Sequence, residues 1–186
     1  MILPIYIYGS QVLREKAKNV EFESESKEEL TKLLKDMDET MLNADGCGIA
    51  APQVGISKKI LIVDGKDLAE RFPELENFKR FMINPEIIEE SEETSEYSEG
   101  CLSVPDVDAT IIRPKAIKVK YINENFEEIE ESFDNFAARM VQHEMDHLDG
   151  TLFVDHASAI RKKMIAAKLR NISKGHVRTH YRTKKA

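Results

Sequence analysis

The chain is poor in the residues that build disulfide frameworks and in the long apolar runs that cross membranes. It has two cysteines and no tryptophan in 186 residues. So few cysteines exclude a disulfide scaffold and favour a reducing compartment. No stretch is long and apolar enough to span a bilayer, and residues 1–4 lack the charged and apolar regions of a signal peptide. We therefore expect a cytoplasmic protein without a membrane partner.

Acidic residues are absent from the C-terminal part of the chain, although they are abundant elsewhere. The net charge is −7, yet ten of the 27 Lys and Arg residues lie between Arg161 and Lys185, where no Asp or Glu occurs. Apolar residues from Ile160 to Leu169 predict a helix that becomes polar after Asn171. We therefore predict one folded domain over residues 1–170, which contains all the motifs described below, and a flexible basic tail over residues 171–186.

The most informative pattern is Gln-His-Glu-Met-Asp-His, at residues 142–147. His143 and His147 are four residues apart, so on a helix both imidazoles lie on one face and can reach one metal ion. Glu144 would lie beside that ion, placed to take a proton from water. One short segment thus offers two metal ligands and a general base.

A catalytic site of this type needs a third protein ligand and an open position. Phe153 stands where metzincin proteases place a third histidine, and no Glu follows Glu144 to serve as the thermolysin-type ligand. Asp155 and His156 remain as alternatives. Cys101 is the better candidate, because its thiolate would bind a borderline metal ion strongly.

A third pattern, Gly-Cys-Gly-Ile-Ala-Ala-Pro-Gln-Val-Gly, occupies residues 46–55. Its glycines and small side chains predict a tight loop that can run close to a ligand. Gln53 offers an amide donor that could polarise a carbonyl group. The loop lacks the Lys-Ser/Thr pair of a P-loop, which argues against phosphate binding.

These three patterns, in this order, resemble the peptide deformylase family. The family pattern is Gly-x-Gly-hydrophobic-Ala-Ala-x-Gln-x-Gly, then Glu-Gly-Cys-Leu-Ser, then Gln-His-Glu-x-Asp-His-Leu-x-Gly, and residues 46–55, 99–103 and 142–150 match it. The likeness extends to residues 12–14, 84–85 and 113–114. It implies a metal-dependent hydrolase that removes the N-formyl group from the initiator methionine of newly synthesised proteins and releases formate.

The resemblance also implies a ligand set for one divalent metal ion, formed by Cys101, His143 and His147. Ferrous iron is the expected native ion. The family also works with zinc, nickel or cobalt, and a thiolate with two imidazoles suits several of these ions. By the same resemblance Glu144 moves the protons, while the Gln53 side chain and the Leu102 backbone N–H bind the oxyanion.

Substrate binding is expected to be mostly backbone pairing, as if the peptide were an added strand. The resemblance assigns this pairing to Cys47, Gly48 and Gly100. It assigns the pocket for the methionine side chain to Phe136, Arg139 and Met140. The Arg139 stem could line that pocket while its head reaches water; alternatively Arg139 faces solvent and has no role.

The coarse pattern predicts an α+β fold with small mixed or antiparallel sheets around a central helix that carries the His-Glu-x-x-His pattern. Asp134 could cap that helix, Gly150 stands where it would end, and a C-terminal helix follows. Further helices are predicted at residues 10–18 and 25–43, and strands at 60–63, 81–83, 117–122 and 129–133. Residues 64–79 are predicted as a surface insertion that forms a solvated loop or short helix, and residues 89–99 as a solvated loop.

Formyl-methionyl nascent peptides are the expected partners, and no DNA partner is expected. The basic tail could also be attracted to ribosomal RNA. Two rival functions remain open. A zinc endopeptidase would use another third ligand and survive the loss of Cys101. A non-catalytic RNA-associated protein with a structural metal would not depend on Glu144.

Overall fold

The computed structural model describes all 186 residues and contains three α-helices and nine β-strands. The helices are α1 (Lys27–Asn43), α2 (Asn135–Leu148) and α3 (Ala159–Ser173). The strands are β1 (Ile5–Tyr6), β2 (Gly48–Ala50), β3 (Ile60–Asp64), β4 (Lys79–Glu90), β5 (Thr94–Cys101), β6 (Val104–Pro114), β7 (Ala116–Ile122), β8 (Glu128–Asp134) and β9 (Thr183–Lys184). None of the helices could span a membrane.

The strands form three separate sheets. The largest is antiparallel, with the order β2-β3-β4-β7-β8, so that β2 lies at one edge. Strands β5 and β6 form a two-stranded antiparallel ribbon, and β1 pairs with β9 in parallel. This arrangement confirms the predicted α+β class, and the four predicted strands fall within β3, β4, β7 and β8.

Strand β3 shows how the main sheet is covered on both faces. Ile60 and Ile62 belong to the apolar cluster that includes the buried residues of α1. Leu61 and Val63 belong to a second cluster, which includes the buried residues of α2. Since successive side chains of a strand point to opposite faces, α1 and α2 cover opposite sides of the sheet. Helix α2 is therefore central, as predicted.

A third apolar cluster joins the β5–β6 ribbon to the C-terminal part of the chain. It combines the inward residues of β6 with Phe153 and with Ile165 and Ile172 of α3. Beyond α3 the chain returns to the N-terminal strand and forms β9. The predicted domain boundary at residue 170 falls inside α3. The structure places the tail against the domain, and its flexibility remains a prediction.

Three local predictions are wrong. Residues 10–18 form only a 3-10 turn at Gln11–Arg14, because the Ala17 N–H and both Lys18 backbone groups bond to other parts of the chain. Residues 89–99 are not a loop, since β4 ends at Glu90 and β5 begins at Thr94. Their polar composition reflects a ribbon strand with mostly solvent-accessible side chains. The Asp134 side chain makes no capping hydrogen bond.

The segment between β3 and β4 contains the 3-10 turns Lys66–Leu68 and Pro73–Leu75. It agrees with the predicted loop or short helix, but it is not wholly solvated. Leu75 is fully buried and belongs to the same apolar cluster as the α2 residues. Leu68, Phe72 and Phe78 are partly buried against the same cluster, so apolar side chains fasten this surface segment to the core, with Leu75 the most deeply buried of them.

We expect Leu75→Ala to lower the free energy of unfolding by about 2–5 kcal/mol, because it leaves a cavity at a fully buried position. The measurement is urea denaturation followed by circular dichroism. Leu42→Ala is the matched control, since Leu42 is 47% exposed on α1 and its loss should change the free energy by about 0.5 kcal/mol or less. Equal losses in the two variants would contradict the anchoring role of Leu75.

Candidate metal centre and substrate cleft

Three donor atoms converge where the end of β5 meets the middle of α2. The Cys101 thiol and one ring nitrogen from each of His143 and His147 lie within 4.8 Å of one another. The Cys101 Sγ is 3.3 Å from the His147 Nε2. The two histidines lie on one face of α2, as their spacing predicted. The structure thus brings Cys101 next to His143 and His147, although Cys101 and His147 are 46 positions apart in sequence.

The chemistry and burial of this cluster fit a divalent metal ion. One thiol and two imidazoles suit iron, zinc, nickel and cobalt. The buried Glu144 Oε2 beside the cluster has no hydrogen-bond partner, which a reacting water could supply. The alternative third ligands are engaged elsewhere: Asp155 forms a salt bridge with Arg14, and His156 contacts Asp146 at 3.0 Å.

The Glu99 carboxylate orients one of these histidines. Its Oε1 lies 2.8 Å from the His143 Nδ1, which leaves the His143 Nε2 to face the cluster. Arg113 donates two hydrogen bonds to Glu99, from Nε at 2.7 Å and from Nη2 at 2.9 Å, and Arg139 donates a third at 2.6 Å. Arg113 also reaches Asp146 at 2.8 Å. A carboxylate held in this way fixes the orientation and tautomer of a metal-binding histidine.

Charges around the cluster shift the pKa values in different directions. Burial opposes ionisation of Glu99, but His143 and Arg113 hold the pKa of its carboxyl far below the usual range. Burial alone would lower the pKa of His143, yet hydrogen bonds with Cys101 and Glu99 raise it well above the usual value. Burial lowers the pKa of His147 well below the usual value. Because a metal ion binds neutral imidazole, a cation that binds here competes with protonation of His143.

Glu144 is buried beside the donor cluster. Its Oε1 lies 4.0 Å from the His143 Nε2, and burial raises the pKa of its carboxyl to about 7. A pKa near neutrality suits a group that both accepts and releases a proton. Gly48 makes room for this carboxylate, because a Cβ at position 48 would collide with the Glu144 side chain.

Gln53 and Leu102, which line the cleft beside this cluster, carry hydrogen-bond donors. The Gln53 amide is fixed by the Ala50 N–H, which donates to Oε1 at 2.9 Å. Its Nε2 donates to the Ser103 Oγ at 3.1 Å and to the Cys101 Sγ at 3.4 Å. The Leu102 N–H donates to no acceptor within the protein. The Leu102 N–H is therefore available to a bound carbonyl oxygen, and the Gln53 amide can serve one in place of its contact with Cys101 or Ser103.

A cavity of about 690 Å³ opens onto the metal centre. Its walls include all six residues predicted to bind substrate: Cys47, Gly48, Gly100, Phe136, Arg139 and Met140. Burial raises the pKa of the Cys47 thiol to about 11, so this second cysteine is a neutral wall residue at neutral pH.

Both interpretations of the Arg139 head group are wrong. Arg139 is 2% exposed, and its guanidinium group donates to Glu99, to the Ile111 carbonyl and to Ser95. The head group is buried because Glu99 and the backbone of the ribbon supply acceptors for it. Arg139 thus lines the cavity and also belongs to the ion cluster that orients His143.

The sequence analysis missed several residues that shape the site. Glu99 and Arg113 lie in the recognised patterns, but no role was predicted for them. The position of Glu99, two residues before Cys101, was the only signal for its role. Phe72, from the segment between β3 and β4, stacks on Phe136 with ring centroids 4.2 Å apart. Tyr97 contacts both rings edge to face. No local sequence signal indicates this aromatic wall.

Comparisons with known proteins agree on one family. The family model described as polypeptide deformylase matches residues 2–163. A peptide deformylase of Fusobacterium nucleatum is 46% identical, with 94% of each chain covered, and one of Salinibacter ruber is 43% identical over 97% of this chain and 93% of its own. The crystal structure of the Thermotoga maritima peptide deformylase has a TM-score of 0.75 and 42% identity, covering 85% of this chain and 99% of its own. A peptide deformylase structure from Legionella pneumophila has a TM-score of 0.80 and 32% identity, covering 96% of this chain and 99% of its own.

We expect Glu99→Gln to weaken binding of a divalent metal ion about 10- to 100-fold, because His143 loses the carboxylate that orients it. The measurement is zinc affinity by competition with a chelator, with circular dichroism to establish that the variant is folded. Glu96→Gln is the matched control, since Glu96 is an exposed residue of the same strand. Equal zinc affinity in both variants would show that Glu99 does not support the centre.

Proposed function

The chain belongs to the peptide deformylase family, and we propose that its reaction is carried by the residues of the metal centre described above. It is a metal-dependent hydrolase that removes N-formyl groups from nascent peptides. Cys101, His143 and His147 would hold the metal ion. The observation that supports this most directly is the convergence of one thiol and two imidazoles within 4.8 Å, with a buried carboxylate next to them.

We propose ferrous iron as the native ion. The thiolate of Cys101 provides a softer donor set than three imidazoles would, and such a set also accepts zinc, nickel and cobalt. Elemental analysis after anaerobic purification would identify the ion. We also propose that the enzyme works in the cytoplasm, in keeping with its two unpaired cysteines.

The proton transfers are assigned to Glu144. When bound, the cation supplies Lewis acidity, which lowers the pKa of water and polarises the formyl oxygen. Glu144 accepts the proton of the attacking water and later gives it to the leaving amine, so that formate and a free amino terminus result. The Gln53 Nε2 and the Leu102 N–H donate to the oxyanion that develops on the formyl oxygen. One such donor typically lowers the barrier by about 3–4 kcal/mol.

Substrate pairing is assigned to the two backbone edges beside the centre. Strand β2 is an edge strand, so its outer side is free to accept an extended peptide as an added strand. Gly48 would pair on that side, Cys47 would contribute there through its N–H because its carbonyl accepts from the Asp64 N–H, and Gly100 would pair on the other side. The methionine side chain would enter between Phe136, Arg139 and Met140. Pairing through backbone groups would explain tolerance of many sequences after methionine.

The two rival functions have less support. An endopeptidase with another third ligand would need Asp155 or His156, and both are paired away from the centre. A structural metal site would be closed by a fourth ligand, and the cluster holds only three candidate ligands. The structural-metal rival also leaves Glu144, which is buried next to the donor atoms, without a role.

We expect Glu144→Ala to retain the metal ion and to lose at least about 100-fold in kcat, because the proton acceptor is gone while the ligands remain. Cys101→Ala and His147→Ala should lose both metal and activity. The measurements are formate release from a formyl-methionyl peptide and metal content by elemental analysis. Full activity in Glu144→Ala would refute the assigned mechanism, and full activity in Cys101→Ala would show that the metal ion has another third ligand.

We also propose that the basic C-terminal region contacts ribosomal RNA. Ten positive charges without a negative one would attract phosphates, with an affinity that falls steeply with salt. Lys162 and Lys163 are exposed on α3 and form no salt bridge.

We expect the double variant Lys162→Gln, Lys163→Gln to reduce the slope of log affinity against log salt by about two. The measurement is co-sedimentation with ribosomes over a salt series. The control is Lys16→Gln with Lys66→Gln, which removes the same charge at exposed positions far from α3 in sequence. Binding that does not respond to salt would contradict the proposal.

A further inference from the structure

The C-terminal segment forms one wall of the substrate cleft, although the matched family region ends at residue 163. Residues 178–181, which we name the C-terminal strap, all line the cavity that contains the metal centre. Beyond the strap, the Ile5 N–H donates to the Arg182 carbonyl at 2.9 Å and the Ile7 N–H to the Lys184 carbonyl at 3.1 Å. The strap is therefore anchored by its pairing with the N-terminal strand.

Two consecutive residues of the strap reach the two sides of the cleft. The Tyr181 hydroxyl donates to the Leu102 carbonyl at 2.8 Å. The His180 Nε2 lies 3.2 Å from an Asp45 carboxylate oxygen, just before the strand that would pair with the peptide. The strap thus joins the Leu102 turn to the loop that precedes β2.

These two contacts differ in their expected weight. His180 and Asp45 are 59% and 82% exposed, and an ion pair in such a position contributes little. Tyr181 is half-buried, and its hydroxyl is the only group that donates a hydrogen bond to the Leu102 carbonyl. The neighbouring Ser103 is already held, because its carbonyl accepts from the Tyr8 N–H at 2.8 Å. Tyr181 is therefore the contact that fixes Leu102.

We propose that Tyr181 is a positioning residue for deformylation, which holds the Leu102 carbonyl so that the Leu102 N–H keeps its direction towards the formyl oxygen. The inference rests on the proposed role of Leu102 in oxyanion binding. The Leu102 N–H and the Leu102 carbonyl belong to the two peptide groups on either side of the Leu102 Cα, and both lie in one turn. When the carbonyl is held by a hydrogen bond, the peptide group that carries the N–H is less free to rotate. A donor that is fixed before the reaction stabilises the transition state more than one that must reorient.

The test is Tyr181→Phe in the full chain loaded with zinc, which removes one oxygen atom and keeps the ring that lines the cleft. Loss of one hydrogen bond of ordinary strength predicts a decrease in kcat of about three- to tenfold. KM for a formyl-methionyl peptide should stay within about twofold, because the interaction gains strength only in the transition state. Zinc content and the thermal midpoint should match those of the wild type.

A second measurement does not depend on activity. The NMR order parameter of the Leu102 N–H should fall in Tyr181→Phe, as expected for a donor that has lost its support. Tyr6→Phe is the matched control, because Tyr6 lies on β1 at the same edge and its hydroxyl makes no hydrogen bond in the structure. It should leave kcat, KM and the Leu102 order parameter unchanged.

Each of the following results would overturn the inference. An unchanged kcat shows that the hydroxyl does not position the donor. A raised KM with unchanged kcat shows that Tyr181 binds substrate directly. A lowered kcat that comes with lost zinc, or without any change in the Leu102 order parameter, shows a general structural role. If the wild type releases formate and Glu144→Ala does not, the proposed function stands in each of these cases; a wild type that releases no formate refutes the proposed function itself.

Discussion

The buried Glu99 carboxylate is the interaction on which the rest of the site depends. It lies on β5 two residues before Cys101, and it binds His143 and Arg139 of α2 together with Arg113 of β6. A buried carboxylate is costly unless it is fully paired, and removal of one partner leaves an uncompensated charge. These hydrogen bonds therefore hold the ribbon and the helix in an arrangement that keeps the Glu99 charge paired.

That arrangement places Cys101 of the β5–β6 ribbon against His143 and His147 of α2. The ribbon packs mainly on the apolar cluster that includes α3, whereas α2 packs mainly on the main sheet. Apolar packing alone is not directional, so it does not specify the position of Cys101 to the accuracy that ligation needs. Hydrogen bonds from guanidinium groups have fixed geometry, and they supply this accuracy between the two clusters.

The parts of the site that could be predicted from sequence are those whose geometry is local. His143, Glu144 and His147 follow from helical spacing, and the likeness to a known family added Cys101 and Gln53. The surroundings of Arg139 could not be predicted, because its acceptors come from Glu99, 40 positions away, and from the Ile111 carbonyl. Residues 10–18 were misassigned for a similar reason, since Ser57 and Leu148 decided the backbone pairing of Ala17 and Lys18. Residues 94–99 were misassigned because their polar composition conceals a hairpin strand, which pairs with the next strand of the chain.

The parallel pairing of β1 with β9 bears on how the chain matures during its own synthesis. Residues 5–6 leave the ribosome early but have no strand to pair with until residues 183–184 have also emerged. Contacts of such large sequence separation form late and slowly. The cleft therefore acquires its C-terminal wall only after nearly the whole polypeptide has been translated.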